Sequence, residues 1–308
     1  MSKARELASL GNAYSDGALS NRNLIINGSH IVNQRGLTSV TTGVGSSTFT
    51  TDRWISYGNG QAVNITIQEV TLPDGTVVNS HKTTATSALS TVFLHPFQKV
   101  ETFGKSYLRG KTVTISTWVR TNMSGQQLRI CDTVGCYALG AEIPSDGAWH
   151  YVTATHTMPS GMATGASDFI QIHPAFGITN TVSGSYIEFT MTQFEVGDTA
   201  TPFEHRSIGQ ELALCQRYYQ IGGGVYFRTY QVAGAYAGQG FEFKTTMRAT
   251  PTYAFGGNAT WSTSNINGTP VVTPESANRY VTYALWSSSA DGRFESTSGS
   301  YFTFDAEL

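Results

Sequence analysis

Charge is what this sequence has least of. Asp, Glu, Lys and Arg make up 13% of its 308 residues, against roughly a quarter in an average soluble domain. The formal net charge is −2 and no basic run occurs, so phosphate-driven binding of nucleic acid is excluded as a reading. No apolar run approaches the roughly 20 residues that span a bilayer, so no membrane insertion is expected. The opening M-S-K-A-R-E-L-A-S-L lacks an apolar signal core, and export by the usual route is not expected. Cysteine is scarce and odd in number, at three, which argues against a disulfide framework. Cys131 and Cys136 flank D-T-V-G and could close a hairpin; the reading preferred from sequence is buried thiols in a chain folded in a reducing cytoplasm. No His/Cys set stands at zinc spacing, and D-T-V-G and G-D-T hold too few carboxylates for a calcium loop. No metal and no cofactor are expected.

Gly, Ser, Thr and Asn fill the place of the charges, and aromatics reach 12%. Branched and flat side chains suit a pleated surface, and a surface that is polar without charge suits neutral sugars or a protein assembly. The length favours two domains. Residues 1–22 read as a short helix ended by Gly11 and followed by a linker. Residues 23–206 read as strands at roughly ten-residue spacing with Gly/Pro punctuation, the pattern of a sandwich or jelly roll. These include Leu24–Ile26, His30–Asn33, 62–70, a strand region over 92–100 and Thr112–Arg120, with a turn at Pro73-Asp74-Gly75. A short linking helix is expected over Gln210–Tyr219, and residues 207–308 read as a second, smaller β-sandwich. The fold class is therefore all-β: a jelly-roll-like β-sandwich followed by a smaller one, with two short helices.

In T-V-T-I-S-T-W-V-R, Val113, Ile115 and Val119 share one parity and Trp118 has the other, so Trp118 faces away from their side. Aromatic faces suit the weakly positive C–H face of a sugar ring. Candidate glycan-binding residues are Trp54, Tyr57, Trp118, Trp149, Trp261, Asp291 and Arg293, the last three expected on loops; Tyr186 and His173 are weaker companions. For Trp54, in T-D-R-W, and for Trp118 and Trp149 the preferred reading is a core residue, with sugar stacking as the alternative. The many aromatics after residue 222 read either as a recognition surface or as subunit interfaces. A glycosidase needs two carboxylates across one bond. Glu101, Glu142, Asp146, Asp168, Glu188 and Glu195 form no recognisable pair, and no G-x-S-x-G elbow occurs. No catalytic residue is assigned, and the chain is not expected to be an enzyme.

Several motifs occur in one order: N-L-I-I-N-G…Q-R-G over 23–36, T-D-R-W over 51–54, F-E-V-G…A-T-P-F-E-H-R over 194–206, E-L-A-L-C-Q-R-Y-Y over 211–219, and a terminal D-A-E-L. Together they resemble a recurring module of phage tail fibres, along nearly the whole chain. The resemblance implies a virion protein made in the bacterial host cytoplasm. It further implies a jelly roll similar to carbohydrate-binding modules, homotrimeric assembly, attachment to virion tail or capsid proteins through residues 1–22, and binding to a host surface glycan. It brings no catalytic constellation. The alternatives are a structural or decoration protein of the virion that binds no receptor, and a polysaccharide-degrading enzyme.

Overall fold

A computed structural model describes residues 22–92, 94–222, 226–230, 236–256, 261–286, 291–296 and 301–307. The expected anchor helix over 1–22 lies outside these residues, except for Arg22. The chain divides between Ile208 and Gly209.

The first unit contains β1 (Ser39–Thr42), β2 (Ser47–Phe49), β3 (Trp54–Tyr57), β4 (Val63–Thr71), β5 (Val77–Ala85), β6 (Leu89–Val92) and β7 (Phe97–Glu101). It continues through β8 (Thr112–Thr121), β9 (Gln127–Cys131), β10 (Cys136–Leu139), β11 (His150–Thr157), β12 (Phe169–Phe176), β13 (Thr179–Thr181) and β14 (Tyr186–Val196). One six-stranded sheet has the order β1-β4-β5-β14-β8-β11, the other β10-β9-β12-β7-β3-β2, and β13 pairs with β6 apart from both. All pairings are antiparallel. Val63 and Ile65 of β4, Val113, Ile115 and Val119 of β8, and Ile187, Phe189 and Phe194 of β14 share one buried core with Trp54, Ile130, Ile170 and Ile172 of the other sheet. The two sheets thus close face to face as a jelly-roll-like sandwich.

Leu24–Ile26 and His30–Asn33 are not strands; β1 begins only at Ser39. Two backbone bonds tie this segment to β14, Leu24 N–H to the Phe194 carbonyl and Thr192 N–H to the Gly28 carbonyl, and side chains supply the rest. The Asn27 amide accepts from Val32 N–H at 2.9 Å and donates to the carbonyls of Val32 and Asp52 at 2.8 and 3.1 Å. Asn23 Oδ1 accepts from Ile25 N–H and Phe194 N–H. Asn27 and His30 take positive φ, conformations that a continuous strand forbids. Gly28 has no room for a side chain, because a Cβ there would lie 2.3 Å from the Thr192 carbonyl oxygen.

Cys131 and Cys136 form a disulfide, contrary to the free-thiol expectation. The β9–β10 register sets them directly opposite each other across the D-T-V-G turn, which brings the sulfurs together. Cys215 is buried and takes no part in a disulfide.

α1 (Ile208–Gln216) begins at the division and lies, but for Ile208, in the second unit. Glu211 sits in its first turn, where the helix dipole favours a negative charge. There follow β15 (Tyr219–Gly222), β16 (Tyr226–Tyr230), β17 (Tyr236–Glu242), β18 (Thr252–Gly256), β19 (Trp261–Ser264), β20 (Ile266–Pro274), β21 (Arg279–Trp286), β22 (Asp291–Ser296) and β23 (Tyr301–Asp305). The second β-layer structure is divided over three three-stranded sheets, β15-β23-β18, β16-β22-β19 and β17-β21-β20. Met247, Val272, Tyr280, Phe302, Phe304 and Ala306 form its core. Tyr280, one of the aromatics of uncertain purpose in the sequence, belongs to this core. No helix among the described residues is long and apolar enough to cross a membrane.

Candidate functional site

The site begins with the parity of β8. Its inward residues pack the core, which leaves Thr114, Ser116, Trp118 and Arg120 on the outer face of their sheet. The antiparallel register places Tyr151 of β11 and Thr190 of β14 directly beside Trp118. The Trp118 and Tyr151 rings lie 5.5 Å apart at 50°. Trp118 is half-buried and Tyr151 is 45% exposed.

Three further elements turn this flat pair into a cleft. In β14 the register slips by one residue between Thr190 and Gln193, where Met191 has φ +50°. This is a β-bulge, and it brings Met191 to the cleft. The β4–β5 hairpin supplies Asp74 at its tip. The third is the segment after β14, which returns across the outer face of the sheet. Gln193 Oε1 accepts from Glu204 N–H at 2.8 Å, and the Glu195 carboxylate accepts from Thr201 N–H and Oγ1–H at 2.9 and 2.6 Å. Glu204 in turn accepts from Asn23 N–H, and Arg206 donates to the Asn23 and Ile25 carbonyls. Pinned in this way, the segment presents Phe203 and His205, whose rings meet edge to face at 5.0 Å.

The resulting cleft has a volume of about 520 Å³ and is lined by Asp74, Trp118, Tyr151, Met191, residues 200–203 and His205. That is the size of a small-ligand site. Among the described residues no Lys or Arg lines it. The Asp74 carboxylate accepts from Thr76 N–H at 2.9 Å. This bond, with the Thr76 hydroxyl, holds its carboxyl below the usual range, so the cleft carries one fixed negative charge at neutral pH.

The other sequence candidates lie elsewhere. Trp54 is fully buried and donates its indole N–H to the Asn27 carbonyl at 2.8 Å; it is a core residue and not a sugar platform. Tyr57 is on the opposite sheet, edge-on to His95 at 6.1 Å. Trp149 shares the outer face beyond Tyr151 but is occupied by the Arg120 guanidinium, 4.7 Å from its ring. Tyr186 is similarly covered by Lys82 at 4.2 Å. His173 is buried, stacked on His95 at 4.4 Å. Trp261, Asp291 and Arg293 lie on strands β19 and β22, not on loops, and their side chains fall outside the described part of the structure.

The six carboxylates considered for catalysis do not line the cleft. Glu188 is wholly buried and bonded to Arg120 at 2.9 Å, Ser80 at 2.6 Å and Gln68 at 2.9 Å. Asp146 pairs with His150 at 2.9 Å. Asp168 accepts from Gly165 N–H at 2.7 Å, Glu142 from Gly125 N–H, and Glu195 holds Thr201. Glu101 is buried in β7. Among the described residues no three His, Cys, Asp or Glu side chains converge as a metal site would need.

Sequence reasoning missed Tyr151, Met191, Phe203, His205 and Asp74 as site residues. Trp149, Tyr151, Thr153 and Thr155 do alternate in the sequence, and that period of two was the available signal for Tyr151.

No family model matches this chain, and no curated protein does. Among solved structures it is similar to the enzymatically active domain of bacteriophage CBA120 tailspike protein 4, at 15% identity and a TM-score of 0.34 over 57% of this chain. The match covers only 22% of that domain's chain. It is also similar to the CBM22-1 xylan-binding domain of Paenibacillus barcinonensis Xyn10C, at 13% identity and a TM-score of 0.32 over 52% of this chain and 99% of that one. A Stig cyclase from Fischerella sp. aligns at 11% identity and a TM-score of 0.37 over 57% of this chain and 97% of that one. All three TM-scores lie below 0.5, and none of these likenesses transfers a function.

Proposed function

We propose that this protein binds a glycan in the Trp118–Tyr151 cleft, and that it does so as a fibre-type protein of a phage virion attaching to a host surface. The observation that carries the glycan reading is the aromatic pair itself. Two rings stand partly exposed, side by side, on a sheet face where Trp149 and Tyr186 are covered by Arg120 and Lys82 and those cations pair with Glu188. A flat aromatic floor with polar neighbours can stack on a sugar ring and bond its hydroxyls. The six scattered and occupied carboxylates favour binding over hydrolysis. The virion role, trimeric assembly and attachment through residues 1–22 rest on the ordered motifs between 23 and 219. Three copies would make weak single contacts effective through multivalency.

The test is binding of purified, labelled protein to host cells and to their isolated surface polysaccharide. Trp118→Ala and Tyr151→Ala should each weaken binding about tenfold, the scale of a central aromatic contact, while the unfolding midpoint stays within a few degrees. Unchanged binding by both variants would remove the cleft from consideration. A folded chain that binds neither cells nor polysaccharide would point to a purely structural virion role. A solution mass other than three chains would overturn the trimer without touching the fold.

A further inference from the structure

The cleft is not chemically neutral. Its rings come from three separate elements, Trp118 on β8, Tyr151 on β11 and Phe203 on the return segment. Among the described residues its one fixed charge is the Asp74 carboxylate, with no lysine or arginine on the lining to offset it. A neutral sugar can donate hydroxyl hydrogen bonds to that carboxylate, but it brings no charge to meet the carboxylate's own. Aromatic faces around an anion are instead the arrangement that holds an alkylammonium, by cation–π attraction at the rings and by Coulomb attraction at the carboxylate. The same arrangement repels uronic acids and sulfate esters. Asp74 is also held in place: Thr76 holds it through its N–H and its hydroxyl, and Gly75 takes φ +87° to close the turn.

We infer that the cleft selects glycans bearing a cationic amino or quaternary ammonium substituent, with Asp74 as the counter-charge and Trp118, Tyr151 and Phe203 as the walls. This rests on the glycan reading of the same cleft. The cation can belong to the sugar itself, as an amino sugar, or to a choline-type group attached to it. Both present the same alkylammonium to the rings.

Unit charges about 4 Å apart in water favour association by about fivefold. A partly exposed cation–π contact adds about twofold or more, so the preference for the cation is about tenfold. It should shrink at high salt, because the Asp74 side chain is exposed and screening acts over about 8 Å at physiological ionic strength.

The experiment is calorimetric titration of the full chain with three probes: an N-acetylated glucosamine hexamer, the N-trimethylated hexamer of the same length, and free choline. The trimethylated sugar carries a permanent charge, so its protonation does not enter. The expected result is about tenfold tighter binding of the trimethylated than of the acetylated hexamer. That preference should fall to near parity in Asp74→Asn and in high salt. Asn keeps an oxygen to accept Thr76 N–H, so the turn should survive. The salt arm gives the same answer should the variant fail to fold. Equal or tighter binding of the acetylated hexamer would overturn the cation selectivity and leave the glycan reading standing. Asp74-dependent binding of choline without either sugar would support the cation site and overturn the glycan reading. Absence of binding by all three probes would overturn the inference for this cleft.

Discussion

Acid should unfold the first unit well before its carboxylates are neutralised, because four of its histidines are held as neutral rings, three of them fully buried and His95 largely so. His81 stacks on Phe189 with 5.1 Å between centroids, and Ser56 Oγ lies 2.8 Å from its Nε2. Burial pushes its pKa from 6.5 down to about 3. His95 is pushed from 6.5 to about 4, by burial and by the charge of Arg129. His30 and His173 are also lowered, again chiefly by burial and then by a neighbouring histidine. Above pH 6.5 both folded and unfolded chains hold these rings neutral, and stability does not depend on them. Below it the unfolded chain takes up protons that the folded chain refuses, so stability falls by about 1.4 kcal/mol per ring for each pH unit. The loss stops for each ring only at its folded pKa. By pH 4, His81 and His95 together cost about 7 kcal/mol, within the 5–15 kcal/mol that holds a typical domain. Asp52 opposes this: burial raises its pKa, so it adds stability as the pH falls through the folded value. It is one group against four. The assay is the unfolding midpoint, followed by tryptophan fluorescence, from about pH 8 to pH 4. It should be flat above pH 6.5 and fall steeply below. His95→Phe keeps an aromatic ring against His173 and should reduce the slope by about 1.4 kcal/mol per pH unit. A midpoint unchanged between pH 7 and pH 5, or a His95→Phe curve that superimposes on the parent, would refute the reasoning.

Three further outcomes are expected. Glu188→Ala leaves Arg120 and Lys82, which lie 2.9 and 3.9 Å from the lost carboxylate, without their buried counter-charge, and should cost about 3 kcal/mol by urea unfolding; a loss below about 1 kcal/mol would show that water replaces the carboxylate freely. Replacing both Cys131 and Cys136 by Ser removes a cross-link of sequence separation 5. By chain entropy that costs about 2 kcal/mol, a midpoint shift of roughly 4–8 °C for a unit of this size, and no shift would mean that the hairpin is equally ordered when reduced. Gly28→Ala forces a Cβ against the Thr192 carbonyl and should destabilise the first unit measurably, whereas Gly36→Ala meets no neighbour and should suffer only the cost of its φ of +65°.

What the sequence made legible was local, and what it hid was a matter of register. The parity of Thr112–Thr121 is a property of one strand, so Trp118 could be placed on the outer face without any partner. Its neighbour Tyr151 is 33 positions away, and only the pairing of β8 with β11 joins them. The same holds for Cys131 and Cys136, whose opposition follows from the β9–β10 register and not from their spacing alone. Leu24–Ile26 was misread for a related reason: its apolar run has strand composition, but Asn23 and Asn27 draw its backbone into side-chain bonds. The bulge at Met191 left no trace in composition, since its left-handed φ is carried by a methionine where glycine or asparagine would have marked it.

The segment A-T-P-F-E-H-R joins fold to function through the period of two. In an extended chain successive side chains point to opposite sides. Glu204 and Arg206 point toward residues 23–25 and are bonded there, while Phe203 and His205 line the cleft. A motif of this kind therefore carries two demands at alternate positions, and they differ in what can replace them. Arg206 reaches two backbone carbonyls from a side chain that is 6% exposed, and lysine cannot reproduce that forked geometry. Phe203 needs only a flat apolar face. The anchoring bonds of Glu204 and Arg206 do not use the side chains of Phe203, His205 or Asp74, so ligand choice can change through those three without disturbing the sandwich. Exchanging those three residues should alter which glycan is bound at nearly constant unfolding midpoint, and Arg206→Lys should do the reverse: lower the midpoint and weaken binding of every ligand together.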